Sequence, residues 1–358
     1  RYSTSRDPFE IPLTHHRVIG YPLNRVDSVC IQRALIPPPY PTSVSSLKAW
    51  INALNGNMVQ SYKPIVCLAL FELADDKISK ESFVDRVSEF FWQLETQFQL
   101  KHGPVNNEVH SKIQDCIEDS GKKEKWGNVK SQLDVIPKGG RRSRADFIWS
   151  KLCEMPLDKL PTSPNDNLYI VEQNHIRIPE ASLRVIKANR NALNTFARCR
   201  LGEFLEKYNS SSPRINEKVK IAWGGGVRPS IRSYMREILG AYHNPLHCYL
   251  CEDAIVGIPD WDHVLPFSFI GGHDLWNLMP SCGPHSGNSK NCNQKKSNRM
   301  PSDSEIDSAE MRNTRMLEWL KDSSGNQLKK NSMNRGIREL EFEKDNGELR
   351  RLWKSMIG

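Results

Sequence analysis

Between residues 247 and 301 the chain concentrates side chains able to do metal and proton chemistry. Cys248 and Cys251 form a Cys-x-x-Cys pair, and Cys282 and Cys292 follow beyond an apolar middle. Four thiolates can hold a zinc ion tetrahedrally. Such an ion supplies roughly 10–16 kcal/mol of apparent binding energy to a unit too small to stand on its own core. The other five cysteines, Cys30, Cys67, Cys116, Cys153 and Cys199, are scattered through apolar or helical stretches. They read as buried small hydrophobes in a reducing compartment. Inside the cysteine frame stands Asp262-His263-Val264-Leu265-Pro266. An imidazole that titrates near neutrality can take a proton from water, and a carboxylate can hold a hard cation such as Mg2+. A cation there binds a phosphate oxygen and stabilises charge on a leaving 3′ oxygen, so the pair suits phosphodiester hydrolysis. Neighbours on an extended chain point to opposite sides, so a bulge or turn is needed to bring Asp262 and His263 to one site.

This stretch resembles the HNH endonuclease family. The family pattern is Cys-x-x-Cys, an acidic residue with His, Asn-Leu, Cys, then Cys-Asn-x-x-Lys. It reads here as Cys248-x-x-Cys251, Asp262-His263, Asn277-Leu278-Met279-Pro280, Cys282 and Cys292-Asn293-Gln294-Lys295-Lys296. The ending Lys296-Ser297-Asn298-Arg299-Met300-Pro301 is similar as well, and the likeness spans about 55 residues. It extends more weakly to the helix–Trp-Gly-Gly–helix segment over 183–240 and says little about residues 1–160. The resemblance implies a ββα-metal fold, in which two short strands bracket a loop and a helix packs across them. It implies His263 as general base, Asp262 as metal ligand and Asn277 as the residue that holds the loop by backbone hydrogen bonds. Asn293 would be the second ligand of a catalytic Mg2+ or Mn2+. The four cysteines would hold a structural Zn2+, and Lys295, Lys296 and Arg299 would lie near DNA phosphates. One departure stands out: Cys282 and Cys292 have nine residues between them, where two are usual. His285, at a Cys-x-x-His spacing from Cys282, is thus an alternative ligand, in place of Cys292 at zinc or of Asn293 at the catalytic metal. The inserted segment reads as a polar surface loop.

The elements that must position these residues are mostly helical. Helical patterns run over Ser45–Leu54, Tyr62–Ala74, Ile78–Phe98 and Leu183–Tyr208, and a short strand fits Leu168–Val171. Pro229–Leu239 reads as a further helix. From just before it, Arg228, Arg232 and Arg236 recur every four residues and line one adjoining face, either a phosphate-contacting stripe or a solvated one. Ser302 with Glu305 has capping-box spacing for a helix to Lys321, and Gly336–Met356 reads as one or two polar helices. Lys138–Arg144 reads as a basic loop and Pro156–Asn167 as a second loop. The expected class is therefore α+β, mostly helical. A mostly helical domain over 1–155, for recognition or partner binding, precedes a domain over 165–358. That second domain holds a helical segment, the zinc-stabilised HNH core at 247–301, and C-terminal helices.

Trp223-Gly224-Gly225-Gly226 lacks the Gly-Lys-Ser/Thr ending of a phosphate-binding loop and reads as a turn. His15, His16, His102 and His110 read as surface histidines, and His243 and His247 flank the first cysteine pair. His273 and Asp274 lie in the loop before Asn277, either solvated or within reach of a substrate phosphate.

A net charge of +8 favours an acidic partner such as nucleic acid. No apolar run approaches the roughly 18–20 residues that span a bilayer, and Arg1–Leu13 has no signal-peptide core, so the expected setting is cytoplasmic, away from membranes. The functional expectation is a metal-dependent DNA endonuclease in restriction or antiphage defence. It would act as a homodimer or in a larger defence complex, or else nick one strand, and it would leave 5′-phosphate and 3′-hydroxyl ends. The rivals are a zinc module that binds nucleic acid or protein without cutting, and a dormant nuclease subunit activated by a partner.

Overall fold

The computed structural model describes residues 42–104, 108–109, 111–112, 115, 138–154, 156–161, 167–224, 230–243, 246–249, 253–255, 259–282, 300–322 and 328–357. The described chain is α+β and mostly helical, with two small antiparallel sheets. It divides into two compact units, Arg1–Asn209 with Ala222–Val227, and Ser210–Ile221 with Arg228–Gly358.

In the first unit α1 (Thr42–Asn55) and α2 (Tyr62–Leu73) pack along a long helix. Alpha2 is apolar on most faces and buries the whole run from Pro64 to Phe71, as its composition demands. Strand β1 (Lys77–Ser79) comes before α3 (Lys80–Trp92), so the stretch expected to be helical from Ile78 begins as a strand. Ser79 accepts a hydrogen bond from the Ser82 amide and starts the helix there. Next come α4 (Lys138–Glu154), α5 (Pro156–Lys159), β2 (Ile170–Glu172) and β3 (His175–Arg177). The sheet order is β1-β3-β2, with Ile78 opposite Ile176.

The long helix α6 (Glu180–Tyr208) breaks its dihedrals at Asn189, whose side chain donates to the Val185 carbonyl. Its stripe of Val185, Ile186, Leu193, Phe196, Leu201 and Leu205 is buried. Because α6 packs on α1 and α2, the division falls after Asn209, not near Pro156–Asn167. Two other expectations change. Lys138–Arg144 is the opening of α4 and not a loop; the Arg144 side chain is buried and ion-paired with Asp85. His102 is buried, not on the surface.

The second unit holds most of α7 (Ile215–Trp223), then α8 (Ser233–Tyr242), β4 (Asp260–His263), α9 (Phe267–Ile270), a 3-10 turn (Leu275–Asn277) and β5 (Leu278–Ser281). It ends in α10 (Asp303–Lys321), α11 (Lys330–Asn346) and α12 (Glu348–Ile357). Alpha8 starts at Ser233 because Arg232 is extended, with φ −62° and ψ 143°. The arginine series therefore does not run along one helix: Arg232 precedes α8, Arg236 lies within it and exposed, and Arg228 lies outside the described residues. Beta4 and β5 pair antiparallel, with Asp262 opposite Met279 and His263 opposite Leu278. One core joins this hairpin to the helices, through Leu265, Leu275 and Leu278 with Ile238, Met316 and Leu352 among others.

Alpha10 opens on the capping box anticipated from sequence. The Glu305 amide donates to Ser302 Oγ at 3.3 Å, and the Ser302 amide donates to the Glu305 carboxylate at 2.8 Å. Ser302→Ala should cost about 1 kcal/mol, seen as a lower urea midpoint for the second unit. An unchanged midpoint would mean that packing alone holds α10.

Candidate functional site

The site is built around the peptide that crosses from the end of β4 to the start of β5. Val264 donates its amide to the Asn277 carbonyl at 2.9 Å. Leu265 donates its amide to Asn277 Oδ1 at 2.7 Å, and Asn277 Nδ2 donates to the Leu265 carbonyl at 3.0 Å. Asn277 is fully buried, so its amide group stands in for a missing rung of the ladder and closes the hairpin beyond its last strand pair. Beyond Leu265 the chain turns through Pro266 into α9, which ends at Gly271 with φ +71°. A Cβ at Gly271 would lie 2.8 Å from Lys218 Cγ, so only glycine suits both the left-handed backbone and the close approach.

The 3-10 turn that carries Asn277 is held from behind by helices far along the sequence. Glu339 accepts from the Leu275 amide at 3.1 Å. Arg312 donates to the carbonyls of Leu275 and Trp276 at 3.3 and 3.0 Å, and Asn313 donates to the Trp276 carbonyl at 3.1 Å. Asp274 is ion-paired with Arg214, and its carbonyl accepts from the Asn277 amide at 2.9 Å. Burial pulls Arg312 down to about 10, which still leaves it charged at neutral pH. Burial likewise lowers Lys218 to about 7, with Arg214 adding to the effect; Lys218 donates to Ser212 Oγ at 2.5 Å.

Beside the closed hairpin stand the groups with chemistry. His263, the last residue of β4, is nearly buried. Its Nε2 lies 3.1 Å from His273 Nδ1, and both rings pack on Phe267. Asp262 is half-buried, and its Oδ1 accepts from the His263 amide at 2.9 Å. The carboxylate thus reaches the next residue's backbone amide, while the strand pairing stays regular through Asp262 and His263, with no bulge between them.

The first cysteine segment returns on itself. Cys248 donates its amide to the Asp253 carbonyl and Ile255 to the Leu246 carbonyl, both at 2.9 Å. Tyr249 donates to the Pro280 carbonyl at 3.0 Å, which ties the segment to β5. Cys248 and Cys282 are buried side by side, and the Cys282 amide donates to Cys248 Sγ at 3.4 Å. A sulfur that receives a backbone N–H and is paired with a second sulfur in a small apolar cluster fits half of a thiolate zinc site. Cys251 and Cys292, His285, Asn293, Lys295, Lys296 and Arg299 lie outside the described residues. Among the described residues no three His, Cys, Asp or Glu side chains are grouped to hold a metal. His247 is exposed and bridges Ala254. Burial and nearby Arg312 lower His243 to about 3, so it is neutral.

Sequence reading of the motif overlooks Arg214, Lys218, Arg312, Asn313 and Glu339, and it leaves His273 as one loop residue among others. A signal existed for two of them. Arg312 and Asn313 interrupt the apolar stripe of Ile306, Ala309, Met316, Leu317 and Leu320 on α10, where a polar residue is buried only with partners.

A second chemistry-bearing trio occurs in the first unit: Ser61 Oγ bonds His102 Nδ1, and Glu95 lies 3.7 Å from His102 Nε2. Ser61 is fully buried and also gives its amide to the His102 carbonyl. The trio therefore joins the start of α2 to the segment after α3 and is closed to a substrate.

No protein-family model, curated protein or solved structure matches the chain.

The brace has a titratable member. Glu343 is raised to about 7, by burial first and by Glu310 next, with Arg312 opposing. Unfolded, it ionises near its ordinary 4.5. Across that window the unfolded chain binds fewer protons than the folded one, so this group's contribution to stability falls as pH rises from 4.5 to about 7 and stays low above it. Glu343→Gln should match the wild type near pH 4.5 and exceed it above pH 7 in chemical unfolding. A wild type that is the more stable of the two above pH 7 would mean that attraction to Arg312 outweighs burial.

Proposed function

We propose that the chain is a metal-dependent endonuclease of the HNH type that hydrolyses DNA phosphodiester bonds. The observation that carries this reading is the hairpin closed by Asn277, with His263 and Asp262 as the last two residues of its first strand. A base held by a buried backbone clamp keeps its place without reorganising, which is what proton abstraction in a hydrolytic transition state rewards. His263 takes the proton from the attacking water. Asp262, with Asn293, would hold Mg2+ or Mn2+, which when bound neutralises charge on the phosphate and on the leaving oxygen. Cys248, Cys251, Cys282 and Cys292 would hold a structural Zn2+, with His285 the alternative to Cys292 at zinc or to Asn293 at the catalytic ion. The charge of +8 supports an acidic substrate. Lys295, Lys296 and Arg299 are the proposed phosphate contacts nearest the site, and Arg228, Arg232 and Arg236 are further ones. Restriction or antiphage defence in the cytoplasm, as a homodimer or in a larger complex, is the setting that the resemblance suggests. No helix among the described residues is long and apolar enough to cross a membrane.

The test is cleavage of supercoiled plasmid in Mg2+ or Mn2+ by wild type and by His263→Ala. Loss of a general base lowers turnover by about 10^2- to 10^4-fold, so the variant should leave the plasmid supercoiled under conditions where wild type relaxes or linearises it. Equal cleavage by both proteins would remove His263 from the mechanism. An inactive wild type that still binds DNA would favour the non-cleaving zinc module or the dormant subunit.

A further inference from the structure

The two imidazoles are placed to fix each other. His273 sits in the short loop between α9 and the 3-10 turn, and both ends of that loop are tied. Gly271 caps α9 in the left-handed region, and Asp274 is held by Arg214 and by the Asn277 amide. The His263 and His273 ring centroids are 5.0 Å apart at an interplanar angle of 32°, and Phe267 packs against both. The separation of 3.1 Å between His263 Nε2 and His273 Nδ1 is an ordinary hydrogen-bond length. Between two neutral imidazoles such a bond demands that one nitrogen carry the proton and the other not, so each ring sets the tautomer of the other.

We propose that His273 is a positioning residue for His263, accepting a hydrogen bond from His263 Nε2–H at its own Nδ1. The inference rests on His263 being the general base. With the proton held on Nε2, the lone pair of His263 lies on Nδ1, and that atom takes the proton from water. The opposite arrangement would place the proton on Nδ1 and leave His263 unable to act there as a base. The bond also restricts rotation of the ring about its side-chain torsions, so orientation and tautomer are set by one contact.

Two variants separate this role from simple packing. His273→Phe keeps a ring against Phe267 and removes the acceptor. His273→Asn places Oδ1 at the position of the lost Nδ1 and restores an acceptor. In the full chain labelled with 15N-histidine, the His263 signals are assigned by their loss in His263→Ala. Wild type should show His263 as the Nε2–H tautomer. His273→Phe should convert it to a tautomer mixture, and His273→Asn should return it to Nε2–H. In plasmid cleavage, His273→Phe should lower kcat by about tenfold, the lower end for loss of an orienting partner, with KM unchanged and with recovery in His273→Asn. A His263 tautomer that is the same in wild type and His273→Phe, or that is Nδ1–H in wild type, overturns the proposal. The spectra decide this even when wild type does not cleave, so failure of the base reading and failure of the positioning role are told apart. If His273→Phe does not fold, the wild-type tautomer and the His273→Asn spectrum carry the test.

Discussion

The corner of the second unit that carries Asp262 and His263 is closed by one buried amide, the side chain of Asn277. By giving and receiving a hydrogen bond with Leu265 it extends the β4–β5 pairing past the point where the strands diverge. A buried backbone group left unpaired costs about 1–3 kcal/mol. Without Asn277 two such groups at Leu265 would be exposed to that penalty, and the chain would relax by opening the hairpin. His263 is two residues from Leu265 and His273 is four from Asn277, so any opening is felt at both rings. Specific polar bonding in a dry place, rather than strand propensity, defines this corner of the fold.

What holds Asn277 is not the hairpin itself. A small ββ unit was expected to need a metal for its stability. Apart from any metal, its apolar face belongs to a core shared with α8, α10, α11 and α12, and its turn is gripped by Arg312, Asn313 and Glu339. The Cys248–Cys282 pair lies in a separate small cluster with Ile255. Two supports therefore act at different places: the helices stabilise the turn that carries Asn277, and the thiols tie the returning segment at Cys248 to the end of β5. Burying a guanidinium to satisfy two carbonyls is costly unless its bonds are well made. Burial likewise raises the nearby acid Glu343, to about 7, with Glu310 adding to the effect.

The parts of this arrangement that sequence disclosed are those whose cause is local. Residues of the motif lie close together along the chain, and their resemblance to the HNH pattern implied two short strands bracketing a loop, as β4 and β5 do. Ser302 and Glu305 announced the start of α10 because a capping box is complete within four residues. The parts that stayed hidden have distant causes. Arg312 and Glu339 reach Leu275 across 37 and 64 residues, and no local pattern pairs them. His102 looked like a surface residue because its partner Ser61 is 41 residues away. Lys138–Arg144 looked like a loop because glycines and arginines punctuate it, yet Ile148, Trp149 and Leu152 further on bury one face of the helix it begins. Alpha6 seemed to belong with the residues after it, and packing against α1 and α2 assigns it to those before.

The central claim is that the Asn277 clamp is what makes this hairpin a hydrolytic site. It is tested most directly by the rate of plasmid cleavage by Asn277→Ala against wild type, in Mg2+ and below the unfolding transition of the variant. Loss of cleavage in the variant, with an active wild type, is the expected result. A variant as fast as wild type, or a wild type that leaves every phosphodiester substrate intact, would contradict it.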